Sequence, residues 1–121
     1  MSLHVLVVDD DLNMLSLVER LLRSAGLDVT TSSSSLGVSN LVRKVEPDVV
    51  VLDLNIPALS GDALLGLLRR HAPARTRFVL YSSCGEAELR LAAKNAHADG
   101  YISKSSVSDI AAYLKKLVAI N

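Results

Sequence analysis

No tryptophan and only one phenylalanine stand among the 121 residues, and three tyrosines complete the aromatic set. A chain so poor in rings offers no stacking platform for single-stranded nucleic acid. Charge of one sign is also missing: 13 basic and 13 acidic residues give zero formal net charge, so direct contact with nucleic acid is not expected. The single cysteine, Cys84, excludes an internal disulfide and agrees with a reducing compartment, so the expected location is cytoplasmic. Half the residues are apolar, yet no run approaches the roughly 18 needed to cross a bilayer. The stretch Leu3–Val8 is too short for a secretory signal and runs directly into Asp9, Asp10 and Asp11. The length predicts one domain over 1–121, with no room for a DNA-binding or catalytic output domain.

What is present is organised around Val49-Val50-Val51-Leu52-Asp53-Leu54-Asn55-Ile56-Pro57. Four consecutive aliphatics dominated by valine suit a strand covered on both faces, as in a parallel α/β sheet. That strand delivers Asp53 to its end. Asp is common at turns, so taken alone Asp53 reads equally well as a loop cap. A second run, Leu3–Val8, also ends in carboxylates. In open parallel sheets the ligand site lies outside the carboxyl ends of the strands, where the strand order reverses. If the first and third strands are neighbours, Asp9, Asp10 and Asp53 converge.

The rest of the chain alternates strand and helix. Leu12, Leu15, Val18, Leu21, Leu22 and Ala25 recur at helical spacing, with Asp11 as N-cap and Gly26 as the stop. Leu27–Thr31 predicts a strand, and the serines at 32–35 a loop that caps a helix near Leu36–Val45. Beyond Pro57, Gly61 precedes a helix that ends before Pro73, and Phe78–Tyr81 predicts the fourth strand, ending in Ser82. A helix over Glu86–Ala96 and a strand over Tyr101–Ser103, ending in Lys104, follow. The final helix carries Val107, Ile110, Ala111, Leu114, Leu117 and Val118, with Ser106 and Asp109 spaced as a capping box. The alternation predicts a doubly wound five-stranded parallel sheet with helices on both faces.

Asp9, Asp10, Asp53, Ser82 and Lys104 thus stand at successive strand ends. Crowded carboxylates either take up protons or bind a hard cation through oxygen. An octahedral Mg²⁺ held there would keep positions open for phosphate oxygens, and Lys104 could neutralise the remaining phosphoryl charge.

On these residues the chain resembles the receiver domains of bacterial two-component response regulators, of the chemotaxis-regulator kind, over essentially its whole length. The resemblance is carried by Val7-Val8-Asp9-Asp10, by Asp53-Leu54-Asn55-Ile56-Pro57 with Gly61, by Val79-Leu80-Tyr81-Ser82-Ser83, and by Ala98-Asp99-Gly100-Tyr101 leading to Lys104. It implies the strand order 2-1-3-4-5 and a phospho-acceptor role for Asp53, supplied by a sensor histidine kinase or phosphotransfer protein. It implies Mg²⁺ on Asp10, Asp53 and the Asn55 backbone carbonyl, with Asp9 holding a metal-bound water. Ser82 and Lys104 would bind phosphoryl oxygens, Ser82 and Tyr101 would form a switch, and Asn55 and Cys84 would tune phosphoryl lifetime. Such a domain catalyses only its own phosphorylation and dephosphorylation, and a phosphorylation-dependent homodimer is a further expectation.

Some positions depart from the commonest pattern of that family. Ser105 follows Lys104 where many receivers have proline, so a trans bond is expected there. His97 stands where glycine is usual and reads as a helix C-terminal residue in the left-handed region. His4 and His71 show no ligand spacing. Other classes fit less well. A flavodoxin-like electron carrier needs a hydroxyl- and glycine-rich phosphate loop where this chain has three aspartates. A haloacid-type phosphatase wants an aspartate where Asn55 stands. A degenerate receiver acting as a phosphorylation-independent interaction module is the remaining alternative.

Overall fold

The computed structural model describes residues 3–56 and 61–119, so the turn at Pro57 lies outside the described residues. Five parallel strands, β1 (His4–Val8), β2 (Asp28–Ser32), β3 (Val49–Asp53), β4 (Arg77–Ser82) and β5 (Gly100–Ser103), stand in the order β2-β1-β3-β4-β5. Between and after them run α1 (Leu12–Ser24), α2 (Val38–Val45), α3 (Gly61–Arg69), α4 (Glu86–Asn95) and α5 (Ile110–Ala119). This is the doubly wound α/β architecture that the alternation predicts, in the strand order that the resemblance implies. Among the described residues no helix is long and apolar enough to cross a membrane.

Side chains alternate along each strand, and this sorts the core into two layers. Val5, Val7, Val49, Val51 and Val79 pack with Leu15, Val18 and Leu22 of α1 and with Ile110 and Leu114 of α5. Leu6, Val8, Val50, Leu52, Phe78 and Leu80 pack instead with Val42 of α2, Leu64 and Leu68 of α3, and Leu89 of α4. A strand covered on both sides needs apolar residues at every position, which is why Val49 to Leu52 form an unbroken run, all fully buried. The same alternation puts Asp9, Asp53 and Tyr81, which continue the parity of Val7, Val51 and Val79, on the α1/α5 side of the carboxyl edge. Ser82 follows the parity of Leu80, and Tyr101 lies opposite Leu80 in the β4–β5 register, so both belong to the α4 side.

Helix ends follow the sequence in part. Asp11 caps α1, its Oδ1 accepting the N–H groups of Asn13 at 3.0 Å and Met14 at 3.2 Å. Gly26 after α1 and His97 after α4 take positive φ, +86° and +57°, as their positions suggest. Among the described residues no cis peptide occurs, so Lys104–Ser105 is trans. Two caps differ from expectation. α2 begins at Val38 behind Gly37, which sits at φ +77° and makes no side-chain cap bond. The serines turn inward on their own loop: the Ser32 hydroxyl donates to the Ser34 carbonyl at 2.8 Å, and the Ser34 hydroxyl accepts from Leu36 N–H at 3.1 Å. Short hydroxyl side chains compete for nearby backbone in this way. The capping box at Ser106 and Asp109 is likewise replaced by a 3-10 turn over Lys104–Asp109, in which the Ser103 hydroxyl accepts from Ser105 N–H at 3.2 Å and Ser106 leaves helical geometry.

Two glycines are required by close approach and not by φ. A Cβ on Gly100 would strike the Tyr113 hydroxyl, which also accepts the Tyr101 N–H at 3.0 Å. A Cβ on Gly61 would overlap the Asp53 carbonyl oxygen and lie 2.8 Å from Leu54 Cα, because α3 starts directly against the end of β3. Backbone cannot yield as the tip of a side chain can. Gly61→Ala is therefore expected to cost about 1–3 kcal/mol of stability, and Gly100→Ala less. Urea denaturation of the two variants checks the ranking, and a Gly61→Ala protein as stable as the parent would contradict it.

Candidate functional site

Val8 of β1 lies opposite Leu52 of β3, so the residues that follow them, Asp9 and Asp53, emerge side by side. One carboxylate oxygen from each of Asp9, Asp10 and Asp53 lies within 4.8 Å of the others. Asp9 is fully buried, Asp53 is 4% exposed and Asp10 is exposed. From β5 the Lys104 Nζ reaches both buried acids, 3.1 Å from Asp9 Oδ2 and 3.2 Å from Asp53 Oδ2. Backbone amides take the other oxygens, Asp11 N–H at 3.0 Å on Asp9 Oδ1 and Asn55 N–H at 3.2 Å on Asp53 Oδ1. Three carboxylates against one ammonium leave an excess of negative charge among hard oxygen donors. That donor set suits a hard divalent cation such as Mg²⁺.

The remaining expected residues stand close by but on the other side of the sheet. The buried Ser82 hydroxyl accepts from Cys84 N–H at 3.1 Å and from Asn55 Nδ2 at 3.4 Å. Cys84 packs against the α2/α3/α4 layer, and with Tyr101 it lines a cavity of about 620 Å³ beside β5. The structure thus brings Asp9, Asp10, Asp53 and Lys104 together, sets Asn55 and Ser82 beside them, and leaves Tyr101 and the Cys84 thiol in the neighbouring cavity. The histidines lie elsewhere: His4 Nε2 is 2.7 Å from Thr30 Oγ1 and His71 Nδ1 is 2.8 Å from Arg43 Nη2.

One residue of the site escapes the sequence reading. Tyr81 is fully buried, its hydroxyl donates to Asp9 Oδ2 at 2.5 Å, and its ring centroid lies 4.9 Å from Lys104 Nζ. The available signal was a ring with a polar tip at the end of a strand, where a buried hydroxyl must find a partner.

A family model described as the response regulator receiver domain matches residues 5–115. Transcriptional regulatory protein PrrA of Mycobacterium leprae is 35% identical over 118 residues, a match that covers 97% of this chain and 50% of that protein. Transcriptional regulatory protein KdpE of Mycobacterium tuberculosis is 34% identical over 100 residues, covering 83% of this chain and 43% of its own length. The chain therefore spans about half the length of the curated relatives it matches, or less. Among solved structures, a CheY-like response regulator receiver domain protein from Methanospirillum hungatei aligns with a TM-score of 0.86 at 21% identity, covering 98% of this chain and 95% of that one.

The electrostatics of the two buried acids run in opposite directions. Burial alone would raise Asp9, but hydrogen bonds from Tyr81, the Asp11 amide and Lys104 outweigh it and hold its pKa below the usual 3.8. At Asp53 burial prevails, aided by the neighbouring Asp9, and the pKa rises above 3.8 despite the Asn55 amide and Lys104. Burial would lower Lys104, yet the two carboxylates lift it above its usual value, while burial and Asp9 push the Tyr81 phenol up. Asp9 thus lends stability above pH 3.8 that is lost as pH falls through its lower folded value. Asp53 does the reverse: its contribution is present below 3.8 and is lost as pH rises through its higher folded value. In chelator-containing buffer at pH 7, Asp53→Asn is expected to be more stable than the parent, and the gain should vanish below about pH 3.8. Urea midpoints at the two pH values check this, and a destabilised variant at pH 7 would reverse the sign.

Proposed function

Because the chain belongs to the response regulator receiver domain family of two-component signalling, we propose that Asp53 is its phospho-acceptor and that Mg²⁺ is required for the transfer. The observation that carries this reading is Asp53 itself, a nearly buried carboxylate at a strand end with Lys104 at 3.2 Å and the oxygens of Asp9 and Asp10 within 4.8 Å. In this reading an Asp53 oxygen attacks the phosphorus of a phosphohistidine on a sensor histidine kinase or phosphotransfer protein. The new O–P bond forms as the N–P bond breaks, and the released electron pair stays on the imidazole, which takes up a proton. Water later hydrolyses the acyl phosphate and restores the carboxylate. Asp10, Asp53 and the Asn55 carbonyl would hold Mg²⁺, with Asp9 on a bound water. The ion supplies neutralisation of phosphoryl charge.

The chain's own groups supply the rest. Lys104 pairs with one phosphoryl oxygen and Ser82 donates to another. Drawing Ser82 toward the phosphoryl group opens space on the α4 side of the sheet, which the Tyr101 ring can enter. Asn55 and Cys84 set access to the acyl phosphate and hence its lifetime. The partner-reading face is that of α4, β5 and α5, and a phosphorylation-dependent homodimer through it belongs to the same reading, as does a cytoplasmic location.

Incubation with acetyl phosphate and Mg²⁺, followed by intact mass, is expected to add one phosphoryl group to the parent chain. A chelator should prevent it, and Asp53→Asn should abolish it while leaving the fold intact. A variant labelled at the parental rate would place the acceptor elsewhere, and an unlabelled parent would favour a phosphorylation-independent interaction module. The switch is checked by amide spectra with beryllofluoride and Mg²⁺: Tyr101 and its α4-side neighbours are expected to shift. Changes confined to the acid pocket would remove Tyr101 from the mechanism.

A further inference from the structure

A carboxylate offers two oxygens and about four acceptor positions. Asp9 has one of these filled on Oδ1, by Asp11 N–H at 3.0 Å, and two on Oδ2, by Tyr81 hydroxyl at 2.5 Å and Lys104 Nζ at 3.1 Å. Because Asp9 is fully buried, bulk water does not reach Oδ2 to replace a donor that leaves it, and an abandoned buried acceptor carries the full desolvation penalty. Lys104 is shared with Asp53 Oδ2 at 3.2 Å. To pair with a phosphoryl oxygen on Asp53, the ammonium must loosen its hold on Asp9. Nothing about packing demands a phenol at position 81. Tyr81 lies between Asp53 of β3 and Ile102 of β5 and belongs to an apolar layer with Val51 and Val79, which an aliphatic side chain would continue without a polar atom.

We propose that Tyr81 is a positioning residue that acts through Lys104: its hydroxyl keeps Asp9 Oδ2 satisfied when the ammonium turns from Asp9 to the phosphoryl group. Its ring, 4.9 Å from Nζ, offers the ammonium a favourable face throughout the exchange. Asp9 is held meanwhile with Oδ2 turned toward β4 and Oδ1 left with an open acceptor position. With phenylalanine at position 81, Lys104 becomes the side-chain donor on which buried Asp9 Oδ2 depends, and the ammonium is retained there. This inference rests on Asp53 as phospho-acceptor, and the test separates the two.

The test is a double-mutant cycle on the full chain with Tyr81→Phe, Lys104→Met and the pair, read in two ways. With acetyl phosphate and Mg²⁺, Tyr81→Phe is expected to slow labelling about tenfold, equivalent to about 1.4 kcal/mol, while in the Lys104→Met background it changes the rate by less than about twofold. In chelator, without any phosphodonor, the urea midpoint lost to Tyr81→Phe is expected to be about twice as large in the Lys104→Met background, where the phenol is the remaining side-chain donor to Asp9 Oδ2. Labelling of Tyr81→Phe at the parental rate overturns the proposal. So does an equal slowing in both backgrounds, which marks a residue that only supports the fold, and so do additive midpoints. If the parent takes up no phosphoryl group, the phospho-acceptor reading fails, and the midpoints alone decide whether Tyr81 and Lys104 share Asp9.

Discussion

An ammonium shared between two buried carboxylates is the constraint around which the carboxyl edge of this sheet is built. β1 and β3 are neighbours, with Asp9 directly after β1 and Asp53 at the end of β3, so without a cation two like charges would face one another in a site with little access to water. Lys104, at 3.1 and 3.2 Å, offsets part of that repulsion. Removing the ammonium from such a buried arrangement typically costs about 3–5 kcal/mol, because the carboxylates left behind have no water to return to. Lys104 directly follows β5, and a 3-10 turn over Lys104–Asp109 separates it from α5, which begins at Ile110.

The fold was legible because a doubly covered parallel strand has a simple signature. Runs such as Val49–Leu52 and Val5–Val8 leave no wet face, and each ends in a residue with no place in a core. The same logic exposed Asp9, Asp10, Asp53, Ser82 and Lys104, since a functional group at a strand end interrupts the apolar pattern. Tyr81 was hidden by the converse: a tyrosine continues an apolar run, so its hydroxyl leaves no mark on periodicity. The start of α2 was misplaced because serines satisfy a loop as readily as a helix, and Gly37 in a left-handed conformation was not distinguishable from a glycine within the helix. The capping box failed because the Ser103 hydroxyl caps a 3-10 turn three residues earlier, and Ser106 lies inside that turn out of helical geometry.

Consecutive residues of β4 divide the chemistry between the two faces of the sheet. Tyr81 turns to the α1/α5 layer and meets Asp9 and Lys104, while Ser82 turns to the α4 layer and meets Asn55 and Cys84. A strand fully buried over these positions cannot tilt one without moving the other. The acid pocket and the cavity that Tyr101 lines are thus joined through one short piece of backbone and need no longer chain of contacts.

The contact between Tyr113 and the start of β5 has a meaning beyond local packing. β5 is the last strand of the sheet, and a last strand exposes amides that can template another chain. Here the Tyr101 amide donates to the Tyr113 hydroxyl, and the missing side chain of Gly100 is what admits it. A helix thereby closes one rung of an open ladder with a single phenol. The outer edge of the sheet is, by the same contact, guarded against indiscriminate strand addition and aggregation.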